Sequence, residues 1–303
     1  MKTYAAYYDN NIRYKSSSGG LFSLIASGFD VVYGVAMTTD CYGAEYTRME
    51  DNISPLRGSK YIQAAVGDTF KQVKQDLLDG KKVLFSGTGC HINGLWMFLG
   101  KEYPNLFLLD VICHGVPSPT LWKEYVLFRE KKIGKLKRVN FRCKDKGWKE
   151  FGIKMNRKYL PVSMDPYMLM FLQNYSLRPS CYNCHVNNYK KSDIGLADFW
   201  GIENVANELD DGKGTSAVFV RTDKGQMLFD SIKDQLHWQE VTYESAVAMN
   251  PCEYESVKRP AQRDTFFKDL YSMPYIDFEK KYIPELHIPL MQRIKNKLLK
   301  LIG

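Results

Sequence analysis

Several things are missing from this chain, and each absence narrows what it can be. No stretch approaches the ~18 consecutive apolar residues of a membrane-crossing helix, so no transmembrane span is expected. The start, Met1-Lys-Thr-Tyr-Ala-Ala-Tyr-Tyr, has no long apolar run and no small-residue cleavage site, so no export signal is read there. A cytoplasmic protein is therefore expected, in which seven cysteines point to metal ligands or buried thiols rather than disulfides. Neither the GxGxxG fingerprint nor a P-loop GKS/T is present. A zinc-finger pattern, an RNA-binding aromatic motif and a helix-turn-helix are absent too, so no nucleic-acid partner is expected despite a net charge of +8. There is no internal repeat and no low-complexity tract. A composition of 45% apolar and 14% aromatic residues excludes wholesale disorder and supplies a sizeable core. The lysine runs at 131–138 and 144–149 read as solvated surface, with an acidic partner or an anionic membrane face as the sharper alternatives.

What is present reads as an α/β chain. Residues 1–12 alternate like a short strand. Lys15-Ser-Ser-Ser-Gly-Gly20 is a turn opening a helix over 21–27, with serines able to cap it and glycines allowing close backbone approach. Strands are expected at 31–37 and 42–49, a loop at 56–63, and a helix over 68–78 from the spacing of Phe70, Val73, Leu77 and Leu78. A buried strand at 82–86 runs into the turn Gly87-Thr-Gly-Cys90, a helix follows at 92–99, and an apolar strand at 106–112 ends on Cys113. Strand, turn, helix and strand in that order imply parallel pairing. Further expected elements are a helix at 121–132, paired strands at 139–143 and 151–155, a helix at 167–172, strands at 193–199 and 217–221, and a helix at 224–232. From about 240 onward the pattern weakens, until Leu290, Ile294, Leu298 and Ile302 mark a basic amphipathic terminal helix. That helix would dock on the core or a partner, or make peripheral membrane contact.

Four cysteines carry the sharpest chemistry. Cys181 and Cys184 form a CxxC loop, and Cys90 and Cys113 each follow a strand. Ligands of open parallel sheets gather beyond strand carboxyl ends, so neighbouring strands would bring Cys90 and Cys113 together across the intervening chain. Four convergent thiolates suit a 4Fe–4S cluster. A structural zinc is the alternative, with His114 and His185 close in sequence. The CxxCH pattern at 181–185 also fits a haem attachment site, but no export signal accompanies it. Cys41, Cys143 and Cys252 sit in unrelated contexts and read as ordinary thiols. The segments Lys15–Gly20, Arg57–Lys60 and Gly87–Gly89 together offer backbone donors and lysines for a phosphate or flavin pyrophosphate. Asp193 and Asp198, beside Phe199 and Trp200, read as strand carboxylates that cap backbone or hydrogen-bond near a cofactor.

The ordered motifs Lys15-Ser-Ser-Ser-Gly-Gly20, Arg57-Gly-Ser-Lys-Tyr-Ile-Gln63, Leu84-Phe-Ser-Gly-Thr-Gly-Cys90, Asp110-Val-Ile-Cys-His-Gly-Val-Pro-Ser-Pro119, Arg178-Pro-Ser-Cys-Tyr-Asn-Cys184 and Ser192-Asp-Ile-Gly-Leu-Ala-Asp-Phe-Trp-Gly201 span most of the chain. Over about residues 3–240 the sequence resembles the beta-subunit family of coenzyme F420 hydrogenase/dehydrogenase, nearest its bacterial members associated with polysaccharide biosynthesis. The resemblance implies one large α/β domain, a mixed and largely parallel sheet flanked by helices, with a helical C-terminal tail. Its parts would be 1–75 with the flavin-side loops, 76–240 with the cysteine region, and 241–303 as a helical extension.

The resemblance also implies an oxidoreductase with a 4Fe–4S cluster and FAD. Electrons would pass between the two and on to a deazaflavin or another small-molecule acceptor. Carried over by position, Cys90, Cys113, Cys181 and Cys184 would hold the cluster. Ser16, Ser17, Ser18, Gly19, Gly20, Gly58, Ser59, Lys60 and Thr88 would hold the flavin. His114 and Lys60 are the candidate acids. Three departures stand out. Gly89 and His91 replace the usual Pro and Gln around the first cysteine, and Ala197 replaces a Gly. No two-cluster ferredoxin segment precedes the domain, so the donor would be a separate protein such as ferredoxin, or another subunit. A zinc-stabilised accessory protein of a glycan-assembly pathway is the non-enzymatic alternative.

Overall fold

The computed structural model describes residues 1–287. Nine strands form one sheet: β1 (Lys2–Tyr7), β2 (Val31–Met37), β3 (Ala44–Met49), β4 (Ala64–Ala65), β5 (Val83–Thr88), β6 (Leu106–Val111), and, after three strands that stand apart, β10 (Ile194–Asp198), β11 (Ser216–Val220) and β12 (His237–Val241). The three apart, β7 (Val139–Cys143), β8 (Gly152–Met155) and β9 (Lys158–Pro161), form a small antiparallel sheet. In the large sheet the order is β12-β1-β11-β10-β6-β5-β2-β3-β4. Its centre, β10-β6-β5-β2, is parallel. The β2–β3 and β10–β11–β1–β12 pairings on its two sides are antiparallel. This is the mixed α/β sheet that the strand-turn-helix-strand unit implied.

The helices are α1 (Asn10–Tyr14), α2 (Leu21–Ala26), α3 (Thr69–Leu78), α4 (Gly89–Leu99), α5 (Pro119–Ile133), α6 (Pro166–Leu172), α7 (Asp223–Ile232), α8 (Tyr243–Val247), α9 (Arg263–Ser272) and α10 (Tyr275–Tyr282). Parallel strands buried on both faces read as continuous apolar runs, as Val83-Leu-Phe85 and Leu106-Phe-Leu-Leu109 do. Leu84, Phe107 and Leu109 pack on one face with α2 and α7, while Val83, Phe85 and Leu108 pack on the other with α3 and α4. A separate aromatic cluster around Trp122, Tyr125, Tyr167 and Phe171 joins α5 and α6 to α9, α10 and the small sheet.

Three local expectations differ from the structure. The alternation over 1–12 breaks at residue 7, because Asp9 accepts from the N–H groups of Asn11 and Ile12 and starts α1 instead. The helix read from Ile92 begins at Gly89, so Cys90 lies in its first turn and not in a free loop. The serines do not cap α2, whose N-cap is Gly20 at φ +86° with no side-chain cap bond. The terminal helix expected from Leu290 lies outside the described residues.

Candidate functional site

Parallel register fixes the first half of the site. Thr88 at the end of β5 stands opposite Val111 at the end of β6. The chain turns away immediately after each, which puts Cys90 and Cys113 beyond adjacent strand ends. The CxxC loop arrives from a third direction and is tied down. Pro117 bridges Leu177, Arg178 N–H donates to the Val116 carbonyl at 3.0 Å, and Val116 N–H donates to Cys181 Sγ at 3.4 Å. The Cys184 N–H donates to Ser256 Oγ at 2.8 Å. Cys90, Cys113, Cys181 and Cys184 all line one cavity of about 50 Å³. Burial first, and then the neighbouring Cys90 and Cys181, push the Cys113 thiol well up, and burial raises Cys181 as well. Among the described residues, no three His, Cys, Asp or Glu side chains close on a single-ion point.

A second, larger cavity of about 300 Å³ is lined by the 111–116 segment as well. Ser16, Ser17, Ser18 and Gly20 line one wall, with Gly58, Ser59 and Lys60 beside them and Thr88 further along. Gly19 stands behind that wall, where a Cβ would come within 2.5 Å of the Ala6 carbonyl oxygen and 2.9 Å of Ser216 Oγ. Only glycine fits there. The serine hydroxyls are committed to the protein. Ser16 Oγ donates to the Ile12 carbonyl at 2.8 Å and Ser18 Oγ to the Thr215 carbonyl at 2.7 Å, while Ser17 Oγ accepts from the Ser59 N–H at 2.7 Å. Lys60 Nζ donates to the carbonyls of Pro55 and Arg57, both at 2.9 Å, and burial pulls its pKa down to about 7. Asp198 lines the same cavity and pairs with buried Arg142 at 2.9 Å. Asp193 accepts from the Leu108 N–H and Thr222 Oγ1 and pairs with Lys224 at 3.2 Å.

The family model for the C terminus of the coenzyme F420 hydrogenase/dehydrogenase beta subunit matches residues 80–246, more than half of the chain. The chain belongs to that family. Its fold is similar to that of a chain of the F420-reducing NiFe hydrogenase complex from Methanosarcina barkeri, at a TM-score of 0.55 and 17% identity over 94% of this chain and 91% of that one. No curated protein matches the sequence. Family membership places the chain among hydrogenase and dehydrogenase subunits, and both cavities draw on its matched segment. Val111, Ile112, Cys113, His114, Gly115 and Val116 line the two cavities at once.

Beside these family motifs stand contacts that the sequence did not reveal. Cys252, read as an ordinary thiol, lines the sulfur cavity, with its Sγ 3.9 Å from His114 Nδ1. His114 Nε2 is 2.7 Å from Asn174 Oδ1, so both ring nitrogens of this candidate acid face protein partners. His91, where the family usually has Gln, lies 3.0 Å through Nδ1 from the Tyr46 hydroxyl on the wall of the large cavity. Burial lowers the pKa of both histidines. Next to the sulfur cavity, Arg221 bridges Asp110 at 2.9 Å and Glu253 at 2.7 Å, and Lys190 pairs with Glu253 at 3.0 Å. No spacing rule could have found Cys252 or Glu253, because the segment that carries them approaches the site only in three dimensions.

Proposed function

We propose that this chain is the flavin- and iron–sulfur-bearing subunit of a cytoplasmic oxidoreductase. In this reading Cys90, Cys113, Cys181 and Cys184 hold a 4Fe–4S cluster, and the 300 Å³ cavity holds FAD against residues 16–20 and 58–60. The observation that carries the reading is the shared wall. One segment of six residues, 111–116, lines both cavities, so two cofactors bound there would be separated by a single layer of protein. Cluster and flavin, when bound, would supply one-electron and two-electron chemistry respectively.

The chain's own residues would do the rest. Cys113 and Cys181 are half-buried thiols whose raised pKa makes loading with metal proton-releasing and favoured as pH rises. The Val116 N–H donates to Cys181 Sγ and offsets part of that cost. Lys60 spends two of its three N–H donors on carbonyls and keeps one for the cavity. With a pKa of about 7 it can give up a proton near neutrality. The electron donor is a partner protein, ferredoxin-like or a further subunit, and the acceptor a deazaflavin or another small molecule, within a pathway such as polysaccharide biosynthesis.

Lys60→Met tests the acid. With reduced viologen as donor and a deazaflavin as acceptor, kcat is expected to fall about 10²-fold. The wild-type rate should decline as pH rises through about 7, where the Lys60 ammonium is lost. That limb should be missing in the variant. An unchanged pH profile removes Lys60 from the chemistry.

A further inference from the structure

Beneath the serine wall of the large cavity lies a group of buried cations that takes no part in the reading above. Lys144, at the head of a lysine run that read as solvated surface, is buried. Its Nζ donates to three carbonyls, those of Arg13 at 2.9 Å, Ser18 at 3.0 Å and Lys213 at 2.9 Å. Three acceptors saturate an ammonium, whereas a neutral amine would leave one carbonyl without a donor. The carbonyls come from α1, from the serine turn and from the loop before β11, so one side chain ties together the three segments behind the wall.

Two arginines complete the layer. Arg13 is fully buried. Its guanidinium forks onto Asp211 at 2.8 and 2.6 Å and donates from Nε to the Gly214 carbonyl at 2.6 Å. Arg142 pairs with Asp198 and reaches the Ser17 carbonyl at 3.4 Å. Asp211 is shared between Arg13 and Lys213 and Asp198 pairs with Arg142, so cations outnumber carboxylates under the turn. Lys144 is the member with no carboxylate within ion-pair distance among the described residues, so it is the source of that excess. Ser16 and Ser18 spend their hydrogens on carbonyls, which leaves this wall to bind an anion through its backbone, the Ser17 hydroxyl and the charge below. Burial pulls the Lys144 pKa down to about 7, so the site carries its charge below neutral pH, where a cation held in a low-dielectric layer acts strongly.

We propose that Lys144 is the positioning residue that makes the serine wall a phosphate subsite, so that the cavity selects phosphate-bearing flavins over riboflavin. The proposal rests on the flavin reading of the large cavity. Lys144 does not line that cavity. It acts through the backbone it holds and through its charge.

The test is a set of titrations of the full chain, stripped of bound flavin, with riboflavin, FMN and FAD, followed by flavin fluorescence. Lys144→Met is expected to weaken FMN and FAD by at least about tenfold and to leave riboflavin unchanged. In the wild type, added salt should weaken FAD and FMN but not riboflavin, and in the variant that salt response should flatten. Equal losses for all three ligands, or none, overturn the proposal. Should the variant not fold, as judged by circular dichroism, the wild-type salt series decides. A salt response confined to the phosphate-bearing flavins supports the subsite, and an equal response overturns it. A wild-type chain that binds none of the three overturns the flavin reading itself, a distinct result.

Discussion

Cys181→Ser is expected to strip the chain of iron and of the broad absorbance at roughly 400 nm while leaving its flavin in place. The asymmetry follows from placement. Cys181 lines the smaller cavity and not the larger one, and its Sγ accepts from the Val116 N–H across the wall between them. Serine keeps the shape and the hydrogen bond but offers a hard oxygen where a soft thiolate is needed. Because Arg178 and Val116 pair through the backbone, the loop should stay folded without its sulfur. Iron and visible absorbance retained at the wild-type level would remove Cys181 from the ligand set. Loss of iron and flavin together would mean that the two cavities do not load independently.

Arg221→Met is expected to cost about 3–5 kcal/mol of stability at neutral pH, measured by denaturant unfolding. The guanidinium sits between Asp110 and Glu253, which are 2% and 3% exposed, and donates also to Ser192 at 3.2 Å. Removing it leaves two buried carboxylates with Lys190 as the remaining cation, paired to Glu253 alone. The sign with pH is fixed by Asp110. Burial raises its pKa in the folded chain, Arg221 opposes that rise, and losing Arg221 raises it further. A carboxyl whose folded pKa lies above its unfolded one costs stability at high pH, and the cost fades as pH falls toward the ordinary carboxylate range. The deficit of the variant should therefore be largest at neutral pH and shrink on acidification. In the background of Asp110→Asn it should be smaller at neutral pH and should converge with the single variant's deficit on acidification. A deficit independent of pH would show that packing, not charge, holds this network.

The sequence made the sheet centre legible because parallel strands buried on both faces leave an unmistakable mark. Val83-Leu-Phe and Leu106-Phe-Leu-Leu are apolar without interruption, and a helix between them forces a parallel crossover. From that alone Cys90 and Cys113 could be expected at adjacent strand ends, and the register of Thr88 against Val111 puts them there. What stayed hidden is what long-range contact decides. Lys144 looks like any surface lysine until the Arg13, Ser18 and Lys213 carbonyls converge on it. Cys252 has no motif around it, and only the turn after α8 carries it to the sulfur cavity. The serines looked like helix caps because serine at a helix start usually is one. Here they are drawn into the wall by Ile12, Ser59 and Thr215 instead. Antiparallel β12 has a mostly exposed face and a short apolar pattern, and so gave little periodic signal.

The most direct measurement is the iron, acid-labile sulfide, zinc and releasable flavin content of the protein purified without oxygen. The account predicts about four irons, a matching amount of sulfide and about one flavin per chain, with no zinc. One zinc per chain with neither iron nor flavin would contradict it and leave a zinc-stabilised accessory protein in its place.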